Sequence, residues 1–222
     1  MLHGDSFIGT GAEMRITCLS LIVVGLISGC GEPPVVRTCD AASRVVVTDI
    51  DETLTTSDAE WMSQVSDPVY DPAMRPDANT LMQTYWDLGY TIVYITARGD
   101  AMTLSDGRSS TEATADWLIA HDFPLEDDAL YLAEGIGAIG SGAVTYKSEV
   151  IADLEATGWE MAWAYGNADS DIEAFQLAGI PDDQIFLVGE LAGEMGVQPI
   201  VDEEAYTQHL GAHVASLACA GD

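Results

Sequence analysis

Residues 49–55 read DIDETLT, and this stretch ends a β-branched run that begins at residue 44. A nearly continuous apolar run predicts a strand buried on both faces, as in a parallel sheet. Asp49 and Asp51 stand two positions apart, so on a strand they share one face, where like charges repel unless a cation or a tight turn relieves them. The stretch predicts a buried strand with reactive carboxylates at its end; a polar turn after a core strand is the simpler alternative.

The rest of the chain alternates between strand and helix patterns. Apolar or β-branched runs predict strands at residues 44–50, 91–95, 129–132, 161–165 and 185–188. Helical patterns occupy residues 76–88, 109–121, 147–157 and 170–178. Ser109 with Glu112, and Ser170 with Glu173, have the spacing of capping boxes. This order predicts an α/β fold: a Rossmann-like doubly wound parallel sheet of about five strands, with helices on both faces and no large cap domain.

Polar side chains collect where these strands end. Thr96 ends the second strand, Asn167 and Asp171 follow the fourth, and Lys147 opens a helix. Because ligands of such sheets bind beyond the carboxyl ends of the strands, we expect these residues to meet. Lys147 is the only lysine in the chain, which favours a functional role over a random surface position. Taken singly, each has an ordinary alternative as a turn, surface or helix-capping residue.

In this order and at these positions, the residues resemble the motifs of the haloacid dehalogenase superfamily. The matching residues are Asp49, Asp51, Thr96, Lys147, Asn167 and Asp171. The resemblance implies an aspartyl-phosphate mechanism, in which Asp49 attacks the phosphoryl group and Asp51 protonates the leaving alcohol and then activates water. It also implies that Thr96 hydrogen-bonds the transferring phosphoryl group and that Lys147 stabilises its charge.

The same resemblance implies Mg²⁺ as the cofactor. The implied ligands are Asp49, the backbone carbonyl of Asp51 and Asn167, with Asp171 in a supporting position. Carboxylate and amide oxygens suit Mg²⁺, a hard cation that keeps several waters and takes few carboxylates.

Within that superfamily, the chain is similar to the catalytic domain of lipin-type phosphatidate phosphatases. The similar stretches are DIDETLTTSD at 49–58, TAR at 96–98, YGN at 165–167 and GIP at 179–181. Glu52 replaces the usual glycine of the first motif, and Ala168 replaces an arginine that commonly follows the asparagine. The resemblance implies a phosphomonoester substrate, with the phospholipid phosphatidate as a candidate. The alternatives are a secreted nonspecific acid phosphatase that acts on soluble phosphomonoesters and a non-catalytic phospholipid-binding module.

The composition limits the class of partner. The chain has 222 residues, with 37 acidic against 7 basic residues and a formal net charge of −30. Nucleic acid is excluded as the main partner, because phosphate backbones bind clustered Lys and Arg. With 48% apolar residues the chain can build a core, and its length fits one domain. The composition does not specify an oligomeric state.

The N-terminal residues predict a targeting segment. A basic start at Met14 and Arg15 precedes an apolar run over 16–28, and ISGC at 27–30 is similar to a bacterial lipobox. The prediction is a signal peptide over 1–29 with its true start at Met14, a lipidated Cys30 with a tether over 30–42, and a phosphatase domain over 43–222. It places the protein in the bacterial cell envelope, anchored to a membrane through lipid and facing the periplasm or the exterior. A plain cleaved signal peptide is the alternative.

The predicted targeting segment determines which cysteines remain in the mature chain. If Cys18 is removed with the signal peptide and Cys30 is lipidated, Cys39 and Cys219 remain. In an oxidising compartment these two suggest one disulfide that ties the ends of the domain together. In the cytosol both would be free thiols.

Residues 135–140 read GIGAIG and match the pattern Gly-x-Gly-x-x-Gly. A dinucleotide-binding fingerprint stands in the first strand-helix unit and opens a long helix, whereas this stretch follows the third predicted strand. We therefore predict a loop here.

Overall fold

The computed structural model describes residues 37–200 and 205–222, in which strands and helices alternate. The strands are β1 (Arg44–Thr48), β2 (Thr91–Gly99), β3 (Leu130–Ala133), β4 (Glu160–Gly166), β5 (Ile185–Leu187) and β6 (Gln198–Pro199). The α-helices are α1 (Ala59–Ser66), α2 (Ala78–Asp87), α3 (Ser110–Ala120), α4 (Ser141–Ala156), α5 (Asp169–Leu177) and α6 (Thr207–Ala212). Short 3₁₀ helices span Asp182–Gln184, Glu194–Gly196 and Val214–Ser216.

The strands form one sheet of six strands in the order β3-β2-β1-β4-β5-β6, and every pair is parallel. Because successive side chains of a strand point to opposite faces, β1 serves two cores. Val46 packs in the core that α2 and α3 cover, whereas Val45 and Val47 pack in the core that α4 and α5 cover. The predicted doubly wound α/β fold is therefore confirmed, and it puts the ends of β1, β2 and β4 side by side.

Several predicted boundaries differ from those of the structure. Helix α4 begins at Ser141, not at residue 147, so Lys147 lies inside the helix. The capping box at the start of α3 is confirmed, because the Glu112 amide donates to Ser109 Oγ and the Ser109 amide donates to the Glu112 carboxylate. The box predicted at Ser170 is wrong: α5 begins one residue earlier, which places Ser170 within the first turn.

Three elements were not predicted, namely α1, β6 and α6. Strand β6 has two residues and α6 has six, which is too short for a periodic pattern to emerge. Between β1 and β2 the chain forms α1 and α2, and between β2 and β3 it forms α3. These short segments confirm that no large cap domain is inserted among the described residues.

The two ends of the described chain meet beside α2. The structure joins Cys39 and Cys219 in a disulfide, with their Cα atoms 5.8 Å apart. The amide of Cys39 also donates to the carbonyl of Asp87, and that of Ala42 donates to Gly89. Within residues 37–200 and 205–222, no helix has the length and apolar character that a membrane crossing requires. The predicted signal peptide over 1–29 and Cys30 lie outside the described residues.

Candidate active site

A buried lysine joins two buried aspartates at the carboxyl edge of the sheet. Lys147 Nζ of α4 donates to Asp49 Oδ1 at 2.6 Å and to Asp171 Oδ1 at 2.5 Å. The exposed fractions of the three side chains are only 4%, 6% and 1% for Lys147, Asp49 and Asp171. The structure therefore brings the end of β1, the helix α4 and the start of α5 together through one cation.

Asp171 holds the turn that follows β4. Its second oxygen, Oδ2, accepts hydrogen bonds from the amides of Asn167 and Ala168, at 3.0 and 3.1 Å. A Cβ atom at Gly166 would lie 2.5 Å from the Asp171 Cβ, so only glycine admits this close approach. Both carboxylate oxygens of Asp171 are thus engaged within the protein, and the residue positions Asn167 and Lys147. Asp169, two residues away, is exposed.

Thr53 links the first aspartate to the turn after β4. Its hydroxyl Oγ1 lies 3.2 Å from Asp49 Oδ2 and 3.0 Å from Asn167 Oδ1. The two acceptor oxygens are therefore neighbours, although their residues are 118 positions apart in the sequence. This role of Thr53 was not predicted, and the only sequence signal for it is its place within residues 49–55.

Asp51 faces a second cation, Arg98 at the end of β2. Arg98 Nη2 donates to Asp51 Oδ1 at 2.8 Å and Arg98 Nε donates to Oδ2 at 3.0 Å. Thr96 Oγ1 also donates to Asp51 Oδ2, at 3.0 Å. Arg98 is itself fixed, because Nη1 donates to Thr114 Oγ1 and its guanidinium lies 4.4 Å from the ring centre of Trp61. Arg98 belongs to the TAR stretch at 96–98, but no spacing rule connects it with Asp51, and its contact was not predicted.

The tight turn after β1 places a glutamate in a left-handed conformation. Glu52 has a φ of 58°, a region that favours glycine. The turn is held by the Glu52 amide, which donates to Thr55 Oγ1, and by Arg75, whose guanidinium donates to the carbonyls of Glu52 and Thr53. This conformation explains why a glycine is usual at this position in the motif that the sequence resembles.

Replacing Glu52 by Gly is expected to stabilise the fold. The substitution removes the steric cost of a Cβ at positive φ, about 1–2 kcal/mol, and part of that gain is offset by the greater entropy of glycine in the unfolded chain. We expect a net gain of about 0.5–1 kcal/mol in the free energy of unfolding, measured in urea. Glu52→Ala is the matched control, because it removes the same charge but keeps the Cβ. An equal gain from both variants would assign the effect to charge.

Burial and charge act together on the central pair. Burial raises the pKa of Asp49, Lys147 opposes that rise, and Asp171 and Asp51 add to it, so the pKa lies above its usual value. Burial lowers the pKa of Lys147, but Asp171 and Asp49 outweigh it and raise the pKa further, so the lysine stays protonated. A cation bound beside Asp49 would lower the pKa of this carboxyl and favour its charged form.

These residues open onto one cavity of about 650 Å³. Asp49, Asp51, Lys147 and Asn167 all border it, together with Arg98. Apolar side chains of α1 and of the loop before α4 border it too. The cavity combines two cations with several acidic and amide oxygens, a combination that suits a phosphoryl group and a divalent cation.

The donor set fits Mg²⁺. Asp49 Oδ2 and Asn167 Oδ1 are hard oxygens that both lie within 3.2 Å of the Thr53 hydroxyl, so they are close to each other. The cavity is also bordered by more carboxylates than basic side chains. Among residues 37–200 and 205–222, no three His, Cys, Asp or Glu side chains are placed so that they could hold a metal ion by themselves. A site here needs Asn167, backbone oxygen and water, as Mg²⁺ sites commonly do. Asp171, predicted in a supporting position, contacts Lys147 and backbone amides instead of offering a free oxygen.

The parallel sheet and the aspartates at the end of β1 define a haloacid dehalogenase-like domain, as the sequence predicted. Two solved structures are similar to this chain at low identity. An analogue of the phospho-aspartyl intermediate of phosphoserine phosphatase is 10% identical with a TM-score of 0.47, covering 78% of this chain and 99% of the other. The DsGPDH structure of Dunaliella salina is 17% identical with a TM-score of 0.46, covering 69% of this chain and 24% of the other.

A sequence model for the LNS2 domain of PITM 1-3 matches residues 46–189, and the chain belongs to this family. Membrane-associated phosphatidylinositol transfer protein 3 of Mus musculus and that of Homo sapiens are each 29% identical to it over 160 residues, which is 72% of this chain. Protein retinal degeneration B of Drosophila melanogaster is 27% identical over 154 residues, or 69% of this chain. The matched region spans only 15% of the first two proteins and 11% of the third.

These relatives correct the predicted location. They are proteins of animals, so the prediction of a lipid-anchored protein of the bacterial cell envelope is wrong. That prediction rested on residues 14–30, a pattern much shorter than the family match over residues 46–189. A short apolar run followed by small residues carries too little information to identify a lipoprotein.

Proposed function

We propose that this domain is a Mg²⁺-dependent phosphomonoester hydrolase that works through an aspartyl-phosphate intermediate. The observation that carries the proposal is the contact between Asp49 and Lys147, 2.6 Å long, at the edge of a cavity that also holds Asp51. A carboxylate nucleophile beside a fixed cation suits attack on an anionic phosphoryl group, because the cation offsets the charge that the two anions share.

In the first step, an oxygen of Asp49 forms a bond to phosphorus while the bond between phosphorus and the ester oxygen breaks. Asp51 gives a proton to the departing alkoxide, which leaves as the alcohol. In the second step, water gives a proton to Asp51 and its oxygen bonds to phosphorus. The bond between phosphorus and Asp49 then breaks, which releases inorganic phosphate and restores both carboxyl groups.

The donors around Asp51 suggest how substrate prepares it for this role. Thr96 and Arg98 donate to both oxygens of Asp51 in the free site. A phosphoryl group that enters the cavity offers the same donors alternative acceptors. When Thr96 and Arg98 bind the phosphoryl oxygens, Asp51 is released to take up a proton from water, which it then gives to the leaving oxygen.

The residues that would hold Mg²⁺ are Asp49 and Asn167, with the backbone carbonyl of Asp51. When bound, the ion would supply positive charge to the transferring phosphoryl oxygens. The Thr53 hydroxyl lies within hydrogen-bond distance of both side chains and donates its one proton to one of them at a time. Asp171 fixes the backbone that carries Asn167 and also holds Lys147 in position.

Phosphatidate is the candidate substrate that we favour. The motifs at residues 49–58 and 165–167 resemble those of lipin-type phosphatidate phosphatases, and two of the proteins to which the chain is similar are named as phosphatidylinositol transfer proteins, which favours a phospholipid. Those names also favour a second candidate, a phospholipid-binding module without turnover. The contact between Asp49 and Lys147, with Asp51 on the same cavity, favours the enzyme, because binding alone does not require a nucleophile and an acid at one cavity.

The test is phosphate release by the full chain with Mg²⁺, from detergent-dispersed phosphatidate and from a panel of soluble phosphomonoesters. Faster release from phosphatidate would support a lipid substrate, and faster release from soluble esters would support a general phosphatase. Release from none of them, combined with Mg²⁺-dependent binding of phosphatidate, would favour the binding module.

Exchanging the metal should change the rate. Removal of divalent cations by EDTA is expected to stop phosphate release, and Mg²⁺ is expected to restore it. Ca²⁺ should restore much less, because it takes six to eight ligands at longer distances, whereas this site offers few protein oxygens. Equal rates with Ca²⁺ and Mg²⁺, measured at saturating concentrations of each ion, would argue against the ligand set given above.

A further inference from the structure

The C-terminal segment, residues 205–222, reaches the turn that carries the candidate active site. Tyr206, which precedes α6, donates its hydroxyl hydrogen to the Thr53 carbonyl at 3.1 Å, and its side chain is completely buried. Tyr206 lies beyond residue 189, where the family match ends. The turn after β1 therefore has a hydrogen-bond donor that comes from outside the matched region.

The C-terminal segment is attached to the rest of the domain without this hydroxyl. The amide of Tyr206 donates to the Pro76 carbonyl at 3.0 Å. His209 Nε2 lies 2.8 Å from the Tyr165 hydroxyl, and the disulfide at Cys219 ties the segment to the start of the domain. Loss of the Tyr206 hydroxyl would therefore leave the segment in place and remove one contact with the turn.

The turn that Tyr206 contacts is strained and needs support from its surroundings. Glu52 has a φ of 58°, and a residue with a side chain keeps such a conformation only where neighbouring groups fix it. Arg75 Nε donates to the Thr53 carbonyl at 3.1 Å, and this is the same oxygen that accepts from Tyr206. Burial raises the pKa of Tyr206, so its hydroxyl keeps its proton and serves as a donor. One carbonyl of the turn is thus held by two distant segments of the chain.

Thr53 connects this support with the proposed Mg²⁺ ligands. Its hydroxyl Oγ1 lies 3.2 Å from Asp49 Oδ2 and 3.0 Å from Asn167 Oδ1. Because the carbonyl and the hydroxyl belong to one residue, a shift of the Thr53 backbone displaces the hydroxyl from both oxygens. Active sites need their groups within about 0.5 Å of the productive geometry, so a small shift of this turn is enough to affect the site.

We propose that Tyr206 is a positioning residue for the candidate active site. Its hydroxyl fixes the backbone of Thr53, and Thr53 in turn keeps Asp49 and Asn167 arranged to bind Mg²⁺ and, at Asp49, to attack phosphorus. Tyr206 does not border the cavity, so it acts through Thr53 and not on the substrate. This inference rests on the proposed hydrolase function and adds to it a residue from the C-terminal segment.

Mg²⁺ binding to the full chain, measured by calorimetry, tests the proposal without turnover. Tyr206→Phe removes the hydroxyl and keeps the buried ring. Tyr94→Phe is the matched control, because the buried Tyr94 also donates its hydroxyl to a backbone carbonyl, that of Pro124, at 2.8 Å. We expect Tyr206→Phe to weaken Mg²⁺ binding by about threefold to tenfold, the effect of one hydrogen bond, and Tyr94→Phe to leave it unchanged. Equal affinities of the two variants would overturn the proposal.

Steady-state kinetics distinguish positioning from a purely structural role. At saturating Mg²⁺ and with thermal midpoints compared, Tyr206→Phe is expected to lower kcat by about threefold to tenfold and to leave the KM for the ester unchanged. The reason is that Thr96, Arg98 and Lys147, which would meet the phosphoryl group, lie on other elements. A lower thermal midpoint with unchanged kcat, or a change in KM alone, would overturn the proposal. Weaker Mg²⁺ binding by Tyr206→Phe in a chain that releases no phosphate would support the positioning role and reject only the hydrolase function.

Discussion

Asp49→Asn is expected to reduce phosphate release by at least about 10³-fold, because an amide cannot form the aspartyl-phosphate intermediate. The substitution keeps the size of the side chain and an oxygen that can accept the hydrogen bond from Lys147. It also removes one of the carboxylates that repel each other around Lys147. We therefore expect the fold to remain intact while turnover is lost.

The measurement is release of inorganic phosphate from the best substrate of the panel, with Mg²⁺ at saturation. Asp127→Asn is the matched control, since it removes the same charge from an exposed position before β3, at the opposite edge of the sheet. The thermal midpoint of both variants shows whether a loss of rate comes from unfolding. Near-normal release from Asp49→Asn would reject Asp49 as the nucleophile.

The parts of this structure that were predictable from sequence depend on short-range patterns. The buried strand β1, the capping box at Ser109 and the alternation of strands with helices all follow from residues that are close in sequence. Parallel topology then follows from that alternation, and it places the ends of β1, β2 and β4 together. Asp49, Lys147 and Asn167 were therefore predictable as neighbours at one edge of the sheet.

The details that were missed depend on side-chain geometry between distant segments. Arg98 lies 47 positions from Asp51, and its contact with this carboxylate also depends on Thr114 and on Trp61 of the unpredicted helix α1. The start of α4 was misplaced because Gly142 and Val144 suggest a loop before Lys147, whereas Ala143 is buried and borders the cavity. Tertiary packing outweighs local helix propensity in this segment.

Lys147→Met is expected to lower the free energy of unfolding by about 3–5 kcal/mol, the usual cost of removing one partner from a buried ion pair. The lysine is the cation shared by Asp49 and Asp171, and methionine leaves these buried carboxylates without it. Phosphate release should also be lost, because the charge that faces the phosphoryl group disappears. Both effects have the same cause, namely negative charge that is no longer balanced in a buried site.

A double-mutant cycle separates unbalanced charge from lost packing. If charge is the cause, adding Asp49→Asn to Lys147→Met should recover part of the lost stability, although the two changes would otherwise be expected to add. The free energies are compared by urea unfolding in EDTA, so that no divalent cation replaces the lysine. Arg108→Met is the control: this arginine pairs with Asp106 and Asp116 at the surface, and its loss should cost less than about 1 kcal/mol.

The outcome of the cycle shows how the fold accommodates Asp49, the proposed nucleophile, as a buried carboxylate. A strong coupling between Lys147 and Asp49 would mean that the fold tolerates a buried carboxylate at the end of β1 only because α4 supplies a cation beside it. The same contact that makes the site stable would then hold Asp49 charged and aimed at the cavity. Additive effects would instead indicate that Lys147 contributes through packing of its methylene chain, and its assigned role toward the phosphoryl group would lose its structural basis.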